Sequence, residues 1–402
     1  MGKIATALFL VMTTVLANAA DIDVLVNKLT EKGIITQSEA KQIISETDKK
    51  NKPLPAWLQN MKFGGDFRLR IQSDDPYSAA GTRIRERIRV RAGVETAVSE
   101  HFNAAFGITN GGETGAGDKN PTSANHTFQA FNKAPVFLDY GYISYAPSDL
   151  VTVSAGKVKG IMALWKVTDL IWDYSINPDG AAANFKTDLS SDASFFANAG
   201  YYILNQQTSD AVGFPAVYIV QPGAQYSKKD FSVKAVASYQ YFSTKGKTVG
   251  SNDSGNWFDP AGGGPIQTDY ELWNSGLEVK QKNVISGYAV YAFGEYSRNL
   301  YDKVFDSGLN AWVLGAGIGD DKLDKLGTWN LKTMYRRLEP NAAPLGLGEP
   351  NAYLGKPGKG FMTVLALGIV KNMDLTTNWY SMTNIDGQNR INTLQFNLNY
   401  KF

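Results

Sequence analysis

The 402-residue chain has no cysteine and only two histidines, His101 and His126. The first absence excludes a disulfide framework, a thiol nucleophile, Cys-ligated zinc or iron–sulfur sites and covalent c-type haem attachment. The second leaves a hydrolase without its usual general base. Neither histidine has a nucleophile and an orienting acid at strand spacing, so no catalytic residue, no metal and no cofactor is assigned. Charge of one sign is also lacking: 40 basic against 38 acidic residues give a net +2, which argues against a general nucleic-acid binder. Past the first residues there is no apolar run of 18, so no transmembrane helix is expected. What the chain does have is 39 glycines, 20 tyrosines and 20 phenylalanines, a composition suited to strands and tight turns.

Residues 1–19 read as a secretory signal peptide. Lys3 precedes an apolar run from Ile4 to Leu16, too short to span as a helix, and Ala17-Asn18-Ala19 forms an A-x-A cleavage site. Residues 20–50 read as a helical hairpin of the periplasm. Ile22, Leu25, Val26 and Leu29 recur at helical spacing up to Gly33, and Thr36 to Glu39 is a capping box opening a second helix with Ala40, Ile43 and Ile44. Residues 51–60 read as a linker, with Pro53 and Pro55 breaking the helix.

Across 61–402 the hydrophobic period changes from 3.6 to 2. Sixteen candidate strands are centred near Leu69, Arg89, Ala105, Tyr140, Val153, Ala183, Ala199, Tyr218, Ala237, Leu277, Tyr291, Val313, Leu331, Leu365, Thr377 and Phe396. Connections after odd strands are often long: Asn110–Ala134, Val158–Pro178, Ser243–Asp269 and Glu339–Gly358. Those after even strands are mostly tight, as at 99–101, 147–149, 228–230 and 283–285. Outer-membrane barrels have this rhythm, with short periplasmic turns and longer extracellular loops. The expected fold is all-β: a transmembrane antiparallel β-barrel of 16 strands, with 14 or 18 also compatible, preceded by the short helical segment.

Seven of the eleven arginines lie between residues 68 and 91. In a strand, Arg83, Arg85, Arg87, Arg89 and Arg91 share one face, with Ile84, Ile88 and Val90 on the other. The run covers about 27 Å at about 3.4 Å per residue, the height of a barrel's apolar band. On the preceding strand Phe67, Leu69 and Ile71 alternate with Asp66, Arg68 and Arg70. An arginine facing lipid at mid-membrane costs roughly 2–4 kcal/mol, so five could cost on the order of 10 kcal/mol, as much as a whole domain's stability. The arginines are therefore expected to line a wet lumen, leaving Glu86 on the outer face. Asp66 and Glu95 are the only acids this reading puts opposite them, and one-sided charge in a narrow pore selects anions. The bland alternative is that mixed charge only keeps the lumen wet.

Val158–Pro178 is the candidate constriction loop, since Trp165, Leu170, Ile171 and Trp172 are apolar for an exposed segment and Asp169 and Asp173 would face the arginines. A rim loop packing its own tryptophans is the alternative. Val136–Tyr145 reads equally well with either face inward.

Several stretches resemble the bacterial outer-membrane porins: Leu29-x-x-Lys-Gly-Ile-Ile-Thr36-x-x-Glu39-Ala40, Phe63 to Arg70, Leu170 to Asp173, Phe293 to Asn299, Gly327 to Trp329, Tyr335 to Glu339 and the terminal Phe402. The resemblance implies a 16-stranded barrel, passive diffusion of small hydrophilic or anionic solutes, outer-membrane lipid around the wall, and commonly a homotrimer. The final strand, with Tyr400 and Phe402, is similar to the signal that barrel-assembly machinery recognises. Phosphate-selective porins are distantly similar, but their lysine loop has no counterpart here. A second reading is a barrel scaffold that sheathes or docks a protein partner, such as an electron-transfer conduit.

Overall fold

The computed structural model describes residues 26, 28–32, 35–42, 56–78, 81–111, 125–128, 130–131, 133–205, 214–247, 251–252, 255–256, 268–301, 307–344 and 346–402. The chain divides into two units, Met1–Gln59 and Asn60–Phe402.

In the first unit, the expected signal peptide lies outside the described residues, as do Ile22, Leu25, Gly33, Ile43 and Ile44. Residues 28–31 and 37–42 are helical. Between them Thr36 and Glu39 cap reciprocally: the Thr36 amide donates to Glu39 Oε2 (2.8 Å) and the Glu39 amide to Thr36 Oγ1 (3.2 Å). Two donors at the helix start are thus satisfied by two side chains. The stretch read as a linker includes a helical turn, Ala56–Gln59, because the prolines end before Ala56 and nothing after them opposes helix.

The second unit is a barrel. Its strands are β1 Lys62–Ser78, β2 Gly81–Ala97, β3 Phe102–Asn110, β4 Val136–Ser148, β5 Val151–Lys157, β6 Asp179–Asp188, β7 Ala193–Ile203 and β8 Ala216–Lys228. They continue as β9 Phe231–Ser243, β10 Tyr270–Ile285, β11 Tyr288–Asn299, β12 Asn310–Gly319, β13 Trp329–Leu338, β14 Gly358–Val370, β15 Met373–Thr383 and β16 Ile391–Lys401. Each strand pairs antiparallel with the next, and β16 returns to β1. Closure leaves no free sheet edge. All sixteen strand centres read from the alternation fall inside these strands.

The two faces of the wall are inverted relative to a soluble protein. Phe63, Ile71, Ile84, Val220, Leu314 and Phe361 are exposed on the outside, whereas Gln72, Gln221, Gln240 and Gln395 are fully buried inside. That is the polarity of a wall between lipid and a polar lumen. Outer aromatics pair across neighbouring strands towards the long-loop end, as in Tyr201–Tyr218 (5.2 Å between ring centres), Trp312–Tyr335 (5.4 Å) and Tyr335–Phe361 (5.0 Å). Phe102 stacks on Tyr145 at 4.7 Å at the other end. Two such girdles mark the interfaces of a bilayer-spanning barrel.

Two readings are corrected in detail. The tight turn placed at 283–285 belongs to β10, which carries a bulge there, and the reversal falls at Ser286–Gly287. Both turn residues have positive φ (51° and 84°), the geometry that matches strand twist in a two-residue hairpin. The ambiguity of Val136–Tyr145 is resolved by a second bulge. Gly107 pairs with Tyr140 and Ile108 with Leu138, so Asp139 is the extra residue. A bulge changes parity: Val136 and Leu138 face out before it, Ile143 and Tyr145 after it.

The seam shows why Phe402 sits against a glycine. The Gly65 amide donates to the Phe402 carbonyl and the Phe402 amide to that of Gly65, both at 3.1 Å. A Cβ at Gly65 would fall on the Arg91 carbonyl oxygen and the Phe402 ring. Gly65→Val is therefore expected to open the β16–β1 seam at its short-turn end. Heat-modifiable migration on gels reads this as a lower temperature of conversion to the unfolded band, with Gly294→Ala, where a Cβ meets only ordinary contacts at 3.5 Å and beyond, as a control for the seam clash.

Candidate functional site

The β1–β2 register sets the seven arginines in a ladder. On the inner face Asp66 lies opposite Arg91, Arg68 opposite Arg89, Arg70 opposite Arg87, Gln72 opposite Arg85 and Asp74 opposite Arg83. The outer face pairs Phe67 with Val90 and Leu69 with Ile88, and exposed Glu86 lies opposite Ile71. The cross-strand like-charge pairs are unfavourable in themselves, so their neighbours matter.

The structure adds acids that the sequence reading did not place. β1 runs on to Ser78, so Asp74 joins the inner face, fully buried, and ion-pairs Arg83 (3.0 Å) and Arg85 (3.1 Å). Gln72 and Thr393 also donate to it. The bulge at Asp139 brings that carboxylate to Arg91 at 3.5 Å, and Asp66 takes Arg89 at 2.6 Å. Glu95 pairs with Lys159 of the β5–β6 connection. Arg68 donates to Asn125 (2.6 Å) and Arg70 to Asn397 (2.6 Å), and among the contacts of Arg87 is one to Gln72 (3.3 Å). Asp74 was legible, since the even-numbered parity of Asp66, Arg68 and Arg70 reaches it. Asp139 was not, because the break of parity within Val136–Tyr145 does not say which residue is the extra one.

The β5–β6 connection, residues 158–178, turns into the barrel. Leu170, Ile171, Trp172 and Ile176 are buried against Val217, Ile219, Phe242 and Leu272 of the wall. Polar wall groups receive its backbone and indoles: the Trp165 amide donates to Gln221 (2.7 Å), Trp172 Nε1 to Gln240 (2.8 Å), and the Thr168 amide and hydroxyl to Glu295 (3.1 and 2.7 Å). Gly276 on β10 leaves the room in which Val167 sits. A second long connection, between β13 and β14, crosses it. The Asp173 amide donates to Leu347 (2.6 Å) and the Glu349 amide to Asp169 (2.9 Å).

Asp169 and Asp173 thus meet Glu349, with carboxylate oxygens of all three within 4.8 Å. Burial first, and then its carboxylate neighbours, holds Asp169 well above the usual carboxylate range. Burial and Glu349 push Asp173 up to about 6. Lys166, which donates to the Asp173 carbonyl at 2.8 Å, faces this cluster. Three carboxylates so placed have the oxygen donors of a divalent-cation site, while Lys166 already supplies positive charge. Across the lumen the field of Asp173 and Glu349 reaches Arg70, although no direct ion pair joins them.

His101 packs edge-on to Tyr145 at the short-turn end, whereas His126 pairs with Ile88 in a two-residue strand of the β3–β4 connection. Tyr400 and Phe402 are exposed on the outer wall at the seam. Lys332, Arg336, Glu295 and Glu349 also point into the lumen. The first three follow from strand parity; Glu349 sits in a loop, where no period exists to show it.

The sequence matches the family model described as "Putative porin" over residues 76–259 and 273–402. No curated protein sequence is significantly similar to the chain. Among solved structures, the high-pH form of OprB from Pseudomonas putida is similar at 10% identity and a TM-score of 0.54, covering 88% of this chain and 97% of that one. A mutant of the Rh. blastica porin (9% identity, TM-score 0.49) covers 85% and 100%, and the outer-membrane channel DcaP of Acinetobacter baumannii (12%, 0.47) covers 85% and 97%. The family match spans most of the chain, and the closed sixteen-stranded wall agrees with it: the protein belongs to the putative-porin family of bacterial outer-membrane channels.

Proposed function

We propose that the protein is a passive diffusion channel of the bacterial outer membrane for small hydrophilic solutes, and that its arginine ladder gives it a preference for anions. The channel reading rests on the inverted wall, apolar outside and polar inside, with a loop seated in its lumen. The anion preference rests on the ladder. Among the described residues its seven arginines ion-pair with Asp66, Asp74 and Asp139, while Arg68 and Arg70 donate to the uncharged Asn125 and Asn397. Rings of like charge in a confined pore select counter-ions. Diffusion needs no covalent step and no cofactor. A lumen already holding the chain's own connection leaves little room for a threaded protein, which weighs against the scaffold.

The test is the refolded protein in a planar bilayer under a salt gradient. Ohmic steps with a reversal potential on the anion side are expected; folded barrels that never conduct would remove the reading. The same recording carries a pH prediction. Asp173 is raised to about 6, so its negative charge is present above that pH and lost as pH falls through it. Anion preference should therefore strengthen between pH 7.5 and 5, with a midpoint near 6, and Asp173→Asn should flatten the change.

A further inference from the structure

On β12 to β15, the side of the wall that leads through β16 to the arginine ladder, the loop and the strands line a cavity of about 270 Å³. Arg336 on β13 lines it and is 4% exposed. Its Nε has no hydrogen-bond partner, and among the described residues it makes no ion pair. Asp169 lines the same cavity from the loop, and its Oδ1 is likewise buried and without a partner. Lys332 stands with Arg336, and Glu349 with Asp169. A guanidinium nitrogen and a carboxyl oxygen thus lie buried beside one cavity without bonding to each other. A buried polar atom left without a partner is costly, so such a pair marks a place for a third party.

From this we infer that the cavity is a binding site for a compact zwitterion, one carrying a carboxylate and an ammonium on the same carbon. The inference rests on the lumen being a solute path. The carboxylate goes to Arg336 and Lys332, where the guanidinium offers paired donors, and the ammonium goes to Asp169 and Glu349. The four formal charges cancel, so a simple anion meets two carboxylates and a simple cation meets two basic groups. A zwitterion satisfies both poles. Met334 and Met362 complete an apolar wall for a short aliphatic side chain. The volume lies just under the roughly 300–1,000 Å³ of drug-sized pockets, which suits a small solute.

The experiment is calorimetric titration of the refolded full chain in detergent at pH 7 with L-valine, isovalerate, isobutylamine and calcium chloride. Isovalerate and isobutylamine are valine without its ammonium and without its carboxylate. Valine is expected to bind about tenfold or more tightly than either, the worth of one charge-assisted contact. Arg336→Gln should bring valine down to isobutylamine, and Asp169→Asn down to isovalerate. Lys332→Gln, at a more exposed position, serves in place of Arg336→Gln if that variant does not fold by the gel shift. Equal binding of isovalerate would make this an anion site, and binding of calcium without valine a metal site; either overturns the inference, as does no valine binding, or valine binding unchanged in the folded variants. Bilayer recordings of the same samples separate the two readings. A conducting barrel that ignores valine refutes the pocket alone, and a valine-binding barrel that never conducts refutes the channel alone.

Discussion

Replacing residues 159–177 by a two-residue Asn-Gly turn should raise single-channel conductance several-fold and weaken the barrel. The strands at its base tolerate the splice, because Lys157 already pairs with Asp179 and the Val158 amide with the Pro178 carbonyl at 2.9 Å. What goes is a plug of Leu170, Ile171, Trp172 and Ile176, and the carboxylates of Asp169 and Asp173 with it. The freed cross-section fills with water, and conductance follows the narrowest section of the path. The wall behind the loop is of two kinds. Gln221, Gln240 and Glu295 lose partners from the loop but can take water in their place, whereas Val217, Ile219, Phe242 and Leu272 lose an apolar cover. Burial of one such side chain is worth about 1.5–3 kcal/mol, so a lower unfolding temperature should accompany the larger current. Recordings and gel shifts on the same preparation check both halves. A deletion that left conductance unchanged would mean that the loop lies beside the solute path.

Changing Arg85, Arg87 and Arg89 together to Ser should abolish the anion preference. Arg89 is a partner of Asp66 (2.6 Å) and Arg85 of Asp74 (3.1 Å). Taking the arginines away leaves Asp66 without this ion pair and Asp74 with Arg83. Four arginines of the ladder then face Asp66, Asp74, Asp139 and Glu95 on the wall, and Asp169, Asp173 and Glu349 on the connections. With Lys159, Lys166, Lys332 and Arg336 also in the lumen, eight bases then stand against these seven acids and Glu295, so the positive excess is gone where the field is least screened. The reversal potential in a potassium chloride gradient is expected to fall close to zero. By contrast Glu86→Gln, on the outer face opposite Ile71, should leave it unchanged. If the triple variant conducts with the parent's selectivity, the ladder lies away from the path that ions take.

Much of this was readable beforehand because a barrel strand has a simple code. A side-chain period of two, enforced by lipid on one face and water on the other, made Arg83, Arg85, Arg87, Arg89 and Arg91 inward and Ile84 outward before any coordinates were considered. The same code applies to Lys332, Glu295 and Arg336 within their strands, although the sequence reading stopped at the arginine-rich strands. It failed where the period is interrupted. At Asp139 one inserted residue turns a carboxylate towards Arg91 without any change in composition. At 283–285 a bulge looked like a turn.

Closure at sixteen strands came from the tertiary structure, but the composition and alternation of the chain by themselves pointed to a transmembrane barrel of 14 to 18 strands and to the face each arginine of residues 68–91 occupies. Those depend only on neighbours along one strand and on the energy of charge in lipid. The tertiary structure decided which acids answer those arginines, that residues 158–178 cross the lumen, and that Glu349 from a distant connection meets Asp169 and Asp173. These contacts join segments tens to hundreds of residues apart, and their geometry is set by barrel closure and loop packing, which no local period encodes.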